Sequence, residues 1–146
     1  MMKDRTMAKS GTRKVAAAVA AAASVAGMVF AAAPATAAAY PTSTFTIKYG
    51  ASYYSGTVIW QNRSVAVTGT FNAVGCRRVY AIAKSDNTQL DYRSSSTHCN
   101  STAAAPFALT TDIAGGANNV GLWMSTENPN DILTSVYCYR GDSVCG

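Results

Sequence analysis

A chain of 146 residues is the length of one domain. Its net charge of +5 would suit a nucleic-acid or anionic-membrane partner, but the charge is unevenly placed. Lys3, Arg5, Lys9, Arg13 and Lys14 precede residue 15 with Asp4 as their only acid, whereas from residue 40 onward seven bases face six acids. That near balance makes no phosphate-binding surface, and the adjacent Arg77 and Arg78 would point to opposite faces of a strand. Nucleic acid is therefore not an expected partner.

Residues 1–39 read as an export signal. A basic head, MMKDRTMAKSGTRK, leads into the apolar run VAAAVAAAASVAGMVFAAA, which Pro34 ends. Ala35-Thr36-Ala37 and Ala37-Ala38-Ala39 both fit the small-x-small cleavage pattern, and cutting after Ala39 is favoured over cutting after Ala37. The run is mostly alanine, only weakly apolar, so removal is expected rather than a lasting membrane anchor. The expectation is a secreted, extracellular domain spanning residues 40–146 with no membrane association after cleavage.

Beyond residue 40 no helical period is present; short β-branched and aromatic runs alternate with Gly, Asn, Ser and Pro clusters. TFTIKYG (44–50) alternates Phe45, Ile47 and Tyr49 with polar residues. SYYSG (52–56) reads as a tyrosine-bearing loop. TVIWQ (57–61) and SVAVTGTF (64–71) flank a turn at Asn62-Arg63, with Trp60 and Val58 inward and Val65, Val67, Gly69 and Phe71 on one face. RRVYAIAK (77–84), apolar on both faces, reads as a central strand. QLDYR (89–93) follows a Ser-Asp-Asn-Thr turn, and a Ser- and Ala-rich connection at 94–105 leads to PFALTTDI (106–113). NVGLWMS (119–125) and ILTSVYCYR (132–140) complete the set, joined by a turn around Pro129. About eight short strands predict an all-β fold: an antiparallel β-sandwich (Ig-like, Greek-key) or a small barrel.

All four cysteines lie beyond the signal, and an even count in a small exported domain reads as two disulfides. Of three possible pairings, the sequence-local one, Cys76–Cys99 with Cys138–Cys145, is preferred. The chain-entropy relation gives about 3.4 kcal/mol for the longer loop and about 2.5 kcal/mol for the shorter.

Catalytic constellations are poorly supplied. The one histidine, His98, adjoins Cys99 in a serine-rich stretch, and no serine sits in a G-x-S-x-G elbow. The carboxylates, one Glu and five Asp beyond residue 40, lie mostly in turns and suggest no glycosidase pair. Metal-ligand spacing is lacking, and the oxygen-rich stretch Glu127–Asp131 lacks the alternation of a calcium loop. A non-enzyme without metal or cofactor is expected.

The aromatic residues suggest binding. Trp123 alternates opposite to Val120, Leu122 and Met124, leaving it on the outer face with Gly121 and Ser125. A turn centred near Pro129 would set Tyr137 opposite Gly121 and diagonal to Trp123, with Tyr139 on the same face. Trp123, Tyr137 and Tyr139, with Tyr53 and Tyr54 from the earlier loop, form the candidate surface for sugar rings or a protein partner. The tripeptide Arg140-Gly141-Asp142 inside CYRGDSVCG resembles an integrin-binding loop, but three-residue matches are common by accident.

The alanine-rich signal, GTVIWQNRSVAVTGTF and the terminal VYCYRGDSVCG together resemble a group of small secreted, disulfide-bonded all-β proteins of actinomycetes. The resemblance implies secretion and a disulfide-bonded β fold, and carries no functional residues over. The same size class includes enediyne-carrying apoproteins and secreted hydrolase inhibitors. Neither a cysteine-framed reactive-site loop nor a Trp-Arg-Tyr triplet is present. The first expectation is a binding module for cell-envelope polysaccharide or an extracellular protein. The alternatives are a hydrolase inhibitor and a small-molecule carrier.

Overall fold

The computed structural model describes residues 39–146; the expected signal head, apolar run and Ala37 cleavage point lie outside the described residues. The described chain is all-β. Eight strands form: β1 (Thr42–Tyr49), β2 (Ser52–Trp60), β3 (Ser64–Ser85), β4 (Thr88–Ser94), β5 (His98–Ala104), β6 (Phe107–Thr110), β7 (Asn119–Ser125) and β8 (Ile132–Tyr139).

One long ribbon organises them. The 22-residue β3 runs out to the turn at Asp86-Asn87, and β4, β5 and β6 return antiparallel along one of its edges. The joints are knitted as well: Ser95 N–H donates to the Val79 carbonyl and Ala105 N–H to the Gly69 carbonyl. Register shifts between Ala73 and Cys76, where Gly75 has φ +75°, bend the ribbon. The Cys76–Cys99 disulfide joins facing residues just past the bend. On the other edge of β3, β2 pairs with the first half and β7 with the second, and β1 and β8 lie outside them.

The order β1-β2-β3-β7-β8 nearly closes into a barrel, so of the two forms expected from sequence the barrel is the one adopted. Closure comes from the C-terminal tail. Thr44 N–H donates to the Ser143 carbonyl, Cys145 N–H to the Thr44 carbonyl, and Gly146 N–H to the Tyr137 carbonyl. The tail thus fills the gap between β1 and β8, and Cys138–Cys145 fastens it to the last strand.

The core follows strand parity. Phe45, Ile47, Tyr54, Val58, Trp60, Val65, Val67 and Phe71 from the first half meet Val79, Ala81, Val120, Leu122 and Met124 from the second. The Trp60 indole N–H donates to Ser43 Oγ at 2.8 Å, satisfying its one buried donor. Gly56 and Gly69 face each other across β2 and β3, so closely that a Cβ on Gly56 would lie 1.9 Å from the Thr68 carbonyl oxygen.

Three expectations are corrected. SYYSG is not a loop: Ser52–Gly56 is the first half of β2, paired with β1 on one side and β3 on the other. SVAVTGTF and RRVYAIAK are one strand, because Gly75 makes a bulge rather than a turn. The Ser- and Ala-rich connection contains β5, whose residues are mostly exposed and so carry no apolar signal.

Candidate functional site

The outer face of the second half of the barrel is read from four adjacent strands. On β3, Val79, Ala81 and Ala83 point into the core, which leaves Tyr80, Ile82 and Lys84 outward. Register places Tyr80 beside Trp123, Ile82 beside Gly121 and Lys84 beside Asn119 on β7. On β8, Ser135, Tyr137 and Tyr139 face Trp123, Gly121 and Asn119 in turn. Tyr92 of β4 lies opposite Ile82 on the remaining side.

Trp123, Tyr137 and Tyr139 therefore share this face. Tyr137 lies across Gly121 and diagonal to Trp123, as expected from the turn. A Cβ on Gly121 would come within 3.1 Å of the Tyr137 ring and 3.0 Å of Ile82 Cγ2, so glycine lets the tyrosine lie down on the sheet. Tyr137 and Tyr139 are 45% and 53% exposed, surplus apolar area available to a ligand.

Trp123 is half-buried because it belongs to a second aromatic group. Its indole stacks on Tyr80, with centroids 5.2 Å apart and planes 7° apart, and Tyr92 tilts against it at 5.8 Å. Tyr80 also stacks with Tyr92 at 6.0 Å and lies under the Arg78 guanidinium at 5.5 Å. Covered by these three, Tyr80 is fully buried on the outside of the sheet, with its hydroxyl 3.3 Å from Ser125 Oγ. Burial, and next the neighbouring Tyr80, raise the Tyr92 phenol pKa, while Arg78 pulls the other way. The indole is thus held in one orientation before any ligand arrives.

The other two sequence candidates lie elsewhere. Tyr54 points inward from β2 and is part of the core. Its ring packs edge-on against Phe45, Phe71 and Phe107, and its hydroxyl donates to the Ala105 carbonyl at 2.7 Å. Burial raises its phenol pKa well above the ordinary value. Tyr53 points outward from the same strand, opposite Lys48 and Asn72, in the other half of the barrel from Trp123. Neither joins the face. Their adjacency made them look like one loop, whereas strand parity sends them to opposite sides.

No protein family model, curated protein or solved structure matches this chain. The face must be understood from its own chemistry.

At one end of the face, a cleft of about 500 Å³ is lined by Lys84, Asp86, Asn87, Asn118, Asn119, Tyr137, Tyr139 and Arg140. Sequence reasoning named Tyr137 and Tyr139 but missed Lys84, Asp86, Asn118 and Asn119 at this end, along with Tyr80 and Tyr92, because their meeting depends on the long-range pairing of β3 with β7. Alternation puts Tyr80, Ile82 and Lys84 on one face of β3, but nothing in the sequence sets that face beside Trp123, Gly121 and Asn119. A second cleft of similar volume lies in the bend of the return strands, between Arg93–Ser96, His98 and Ala104–Ala108. His98 opens β5 and packs edge-on against Phe71 at 5.4 Å, with Ser96 Oγ 3.4 Å from Nε2.

Many polar groups considered from sequence are occupied. Arg140 Nε donates to the Ala117 carbonyl and Nη2 to the Gln61 carbonyl, both at 2.9 Å, while its guanidinium lies 5.5 Å from the Trp60 ring centroid. The arginine of the RGD tripeptide is therefore spent inside the fold. In the Glu127–Asp131 stretch, Asn128 Oδ1 accepts from Asn130 N–H and Asp131 Oδ2 from Thr126 Oγ1, closing a turn on itself. Among the described residues, no group of three or more His, Cys, Asp or Glu side chains is placed to hold a metal.

Proposed function

We propose that this protein is exported, cut after Ala39 and acts outside the cell as a non-enzymatic binding module for envelope polysaccharide. One observation carries the reading: Trp123, Tyr137, Tyr139 and Tyr92 lie on one outer sheet face, with the tryptophan fixed against a buried tyrosine. Fixed rings with exposed flat surface stack on the apolar faces of sugars at little entropic cost. The two disulfides suit an oxidising compartment. A polysaccharide is favoured over a protein partner because the exposed aromatics end in an amide- and charge-lined cleft rather than an apolar pocket.

The test is retention on insoluble chitin, cellulose and peptidoglycan. Wild-type protein should be retained on at least one, and Trp123→Ala should lower affinity by about 10-fold or more. Retention of the variant equal to wild type would remove this face as the binding surface. Amino-terminal sequencing of secreted material should begin at Tyr40; a start at Ala38 would move the cut to the runner-up position.

A further inference from the structure

The cleft at the end of the aromatic face has a chemistry that the stacking residues do not explain. Asp86 occupies the turn of the long ribbon with φ +52°, a conformation that aspartate and asparagine tolerate better than most residues. Three neighbouring contacts hold it there. Asn118 Nδ2 donates to Asp86 Oδ1 at 2.8 Å, Asp86 N–H donates to Asn118 Oδ1 at 2.9 Å, and Asn119 Nδ2 donates to the Asp86 carbonyl at 3.1 Å. A further bond from Asn119 Nδ2 to Asn118 Oδ1 at 2.9 Å locks the two amides together. One carboxylate oxygen of Asp86 is used in this network; the other, Oδ2, accepts from no group among the described residues.

Lys84 lines the same cleft, two residues earlier on the outward parity of β3. Among the described residues the ion pairs are Arg63–Asp112 and Arg93–Asp91, so Lys84 and Asp86 line one cleft without bonding to each other. A fixed acceptor and a free ammonium donor therefore stand beside the exposed rings of Tyr137 and Tyr139. Asp86 repels an anionic ligand and Lys84 a cationic one, while Arg140, which also lines the cleft, has its Nε and Nη2 donors committed to the Ala117 and Gln61 carbonyls. A neutral hydroxyl can donate and accept at once, and two adjacent hydroxyls can satisfy both groups with charge-assisted bonds.

We infer that this cleft reads a free vicinal diol on a neutral hexopyranose. One hydroxyl donates to Asp86 Oδ2, its neighbour accepts from Lys84 Nζ, and the apolar face of the ring rests on the tyrosines. The inference rests on the proposed sugar-binding role of the aromatic face and adds the sugar class. Stacking would hold any pyranose chain; the diol contacts would choose among them.

Calorimetric titration with cellohexaose, laminarihexaose and chitohexaose tests this. Every ring of the first keeps adjacent O2 and O3 hydroxyls, O3 is substituted on the internal rings of the second, and an acetamido group replaces O2 in the third. Wild-type protein should bind cellohexaose at least about 5-fold more tightly than the other two. Lys84→Met and Asp86→Asn should each lose about 10-fold on cellohexaose and erase that preference. The asparagine keeps the backbone conformation accessible, so a loss would report the charge rather than a misfolded turn. Trp123→Ala should weaken all the oligosaccharides that bind. Equal wild-type affinity for the three, or a preference that survives both cleft variants, would overturn the diol inference and leave the aromatic face standing. Binding of none of them would overturn the diol inference, while retention on the insoluble polysaccharides would still support the face.

Discussion

Tyr54 and Arg140 are polar residues whose reach is set by what surrounds them. Tyr54 is sealed among three phenylalanines with its hydroxyl on a buried carbonyl. Tyr54→Phe should cost about 1–2 kcal/mol, because the Ala105 carbonyl loses its donor while the ring packing is kept. Thermal unfolding should register this as a fall of several degrees, and an unchanged midpoint would show that the bond contributes nothing. Arg140 braces two segments through their carbonyls. Arg140→Ala should therefore lower stability, and the wild-type protein should not support integrin-dependent cell adhesion. Asp91 behaves differently again. Burial opposes its ionisation, but the N–H groups of Thr110 and Tyr92 and the Arg93 guanidinium outweigh that and hold its pKa below the ordinary value. A lowered folded-state pKa contributes stability that is complete above the unfolded value of about 3.9 and disappears as pH falls through the folded value. Asp91→Asn should therefore destabilise the protein at neutral pH and lessen its loss of stability below about pH 4, seen as a flatter dependence of unfolding midpoint on pH.

The elements make different demands on the sequence. Strands whose one face fills the core were legible: alternation gave Phe45 and Ile47 of β1, Val65, Val67 and Phe71 in the first half of β3, and Val120, Leu122 and Met124 of β7, while Tyr49, on the same parity of β1, is exposed. The fusion of two expected strands into β3 was not legible, because a glycine that permits positive φ marks a turn and a bulge alike. β5 was hidden for the opposite reason. Its pairing with β3 satisfies the backbone, while its exposed small and polar side chains announce nothing. The C-terminal tail closes the barrel mainly through backbone bonds, and these too have no side-chain signature. Its disulfide is expected to contribute about 2.5 kcal/mol. In a Cys138→Ser/Cys145→Ser double variant, hydrogen exchange at the backbone amides of positions 44 and 145 should accelerate strongly. The central amides of β3 should change only as far as global stability falls. Equal acceleration everywhere would mean that the tail and barrel open as one unit.

Across the whole molecule, one ribbon bent at Gly75 separates two jobs. The first half of β3, with β1 and β2, supplies most of the large core side chains, including Trp60 and Tyr54. The second half, with β4, β7 and β8, keeps small or aliphatic residues inside and turns aromatics outward. The outward parity of Trp123, Tyr137 and Tyr139 could be read from sequence because β7 and β8 are neighbours joined by a short turn. Tyr80, Tyr92 and the Lys84–Asp86 cleft could not, because they meet only when distant segments pair around β3. The arrangement also makes the central claim accessible to fluorescence, since Trp60 is buried and Trp123 reaches the surface. The most direct measurement is a fluorescence titration of wild-type protein and Trp123→Ala with the polysaccharide on which the wild type is retained. The account predicts a saturable change in the wild type and none in the variant, with Trp60 silent in both. An equal change in both proteins, or retention without any change in Trp123, would contradict it.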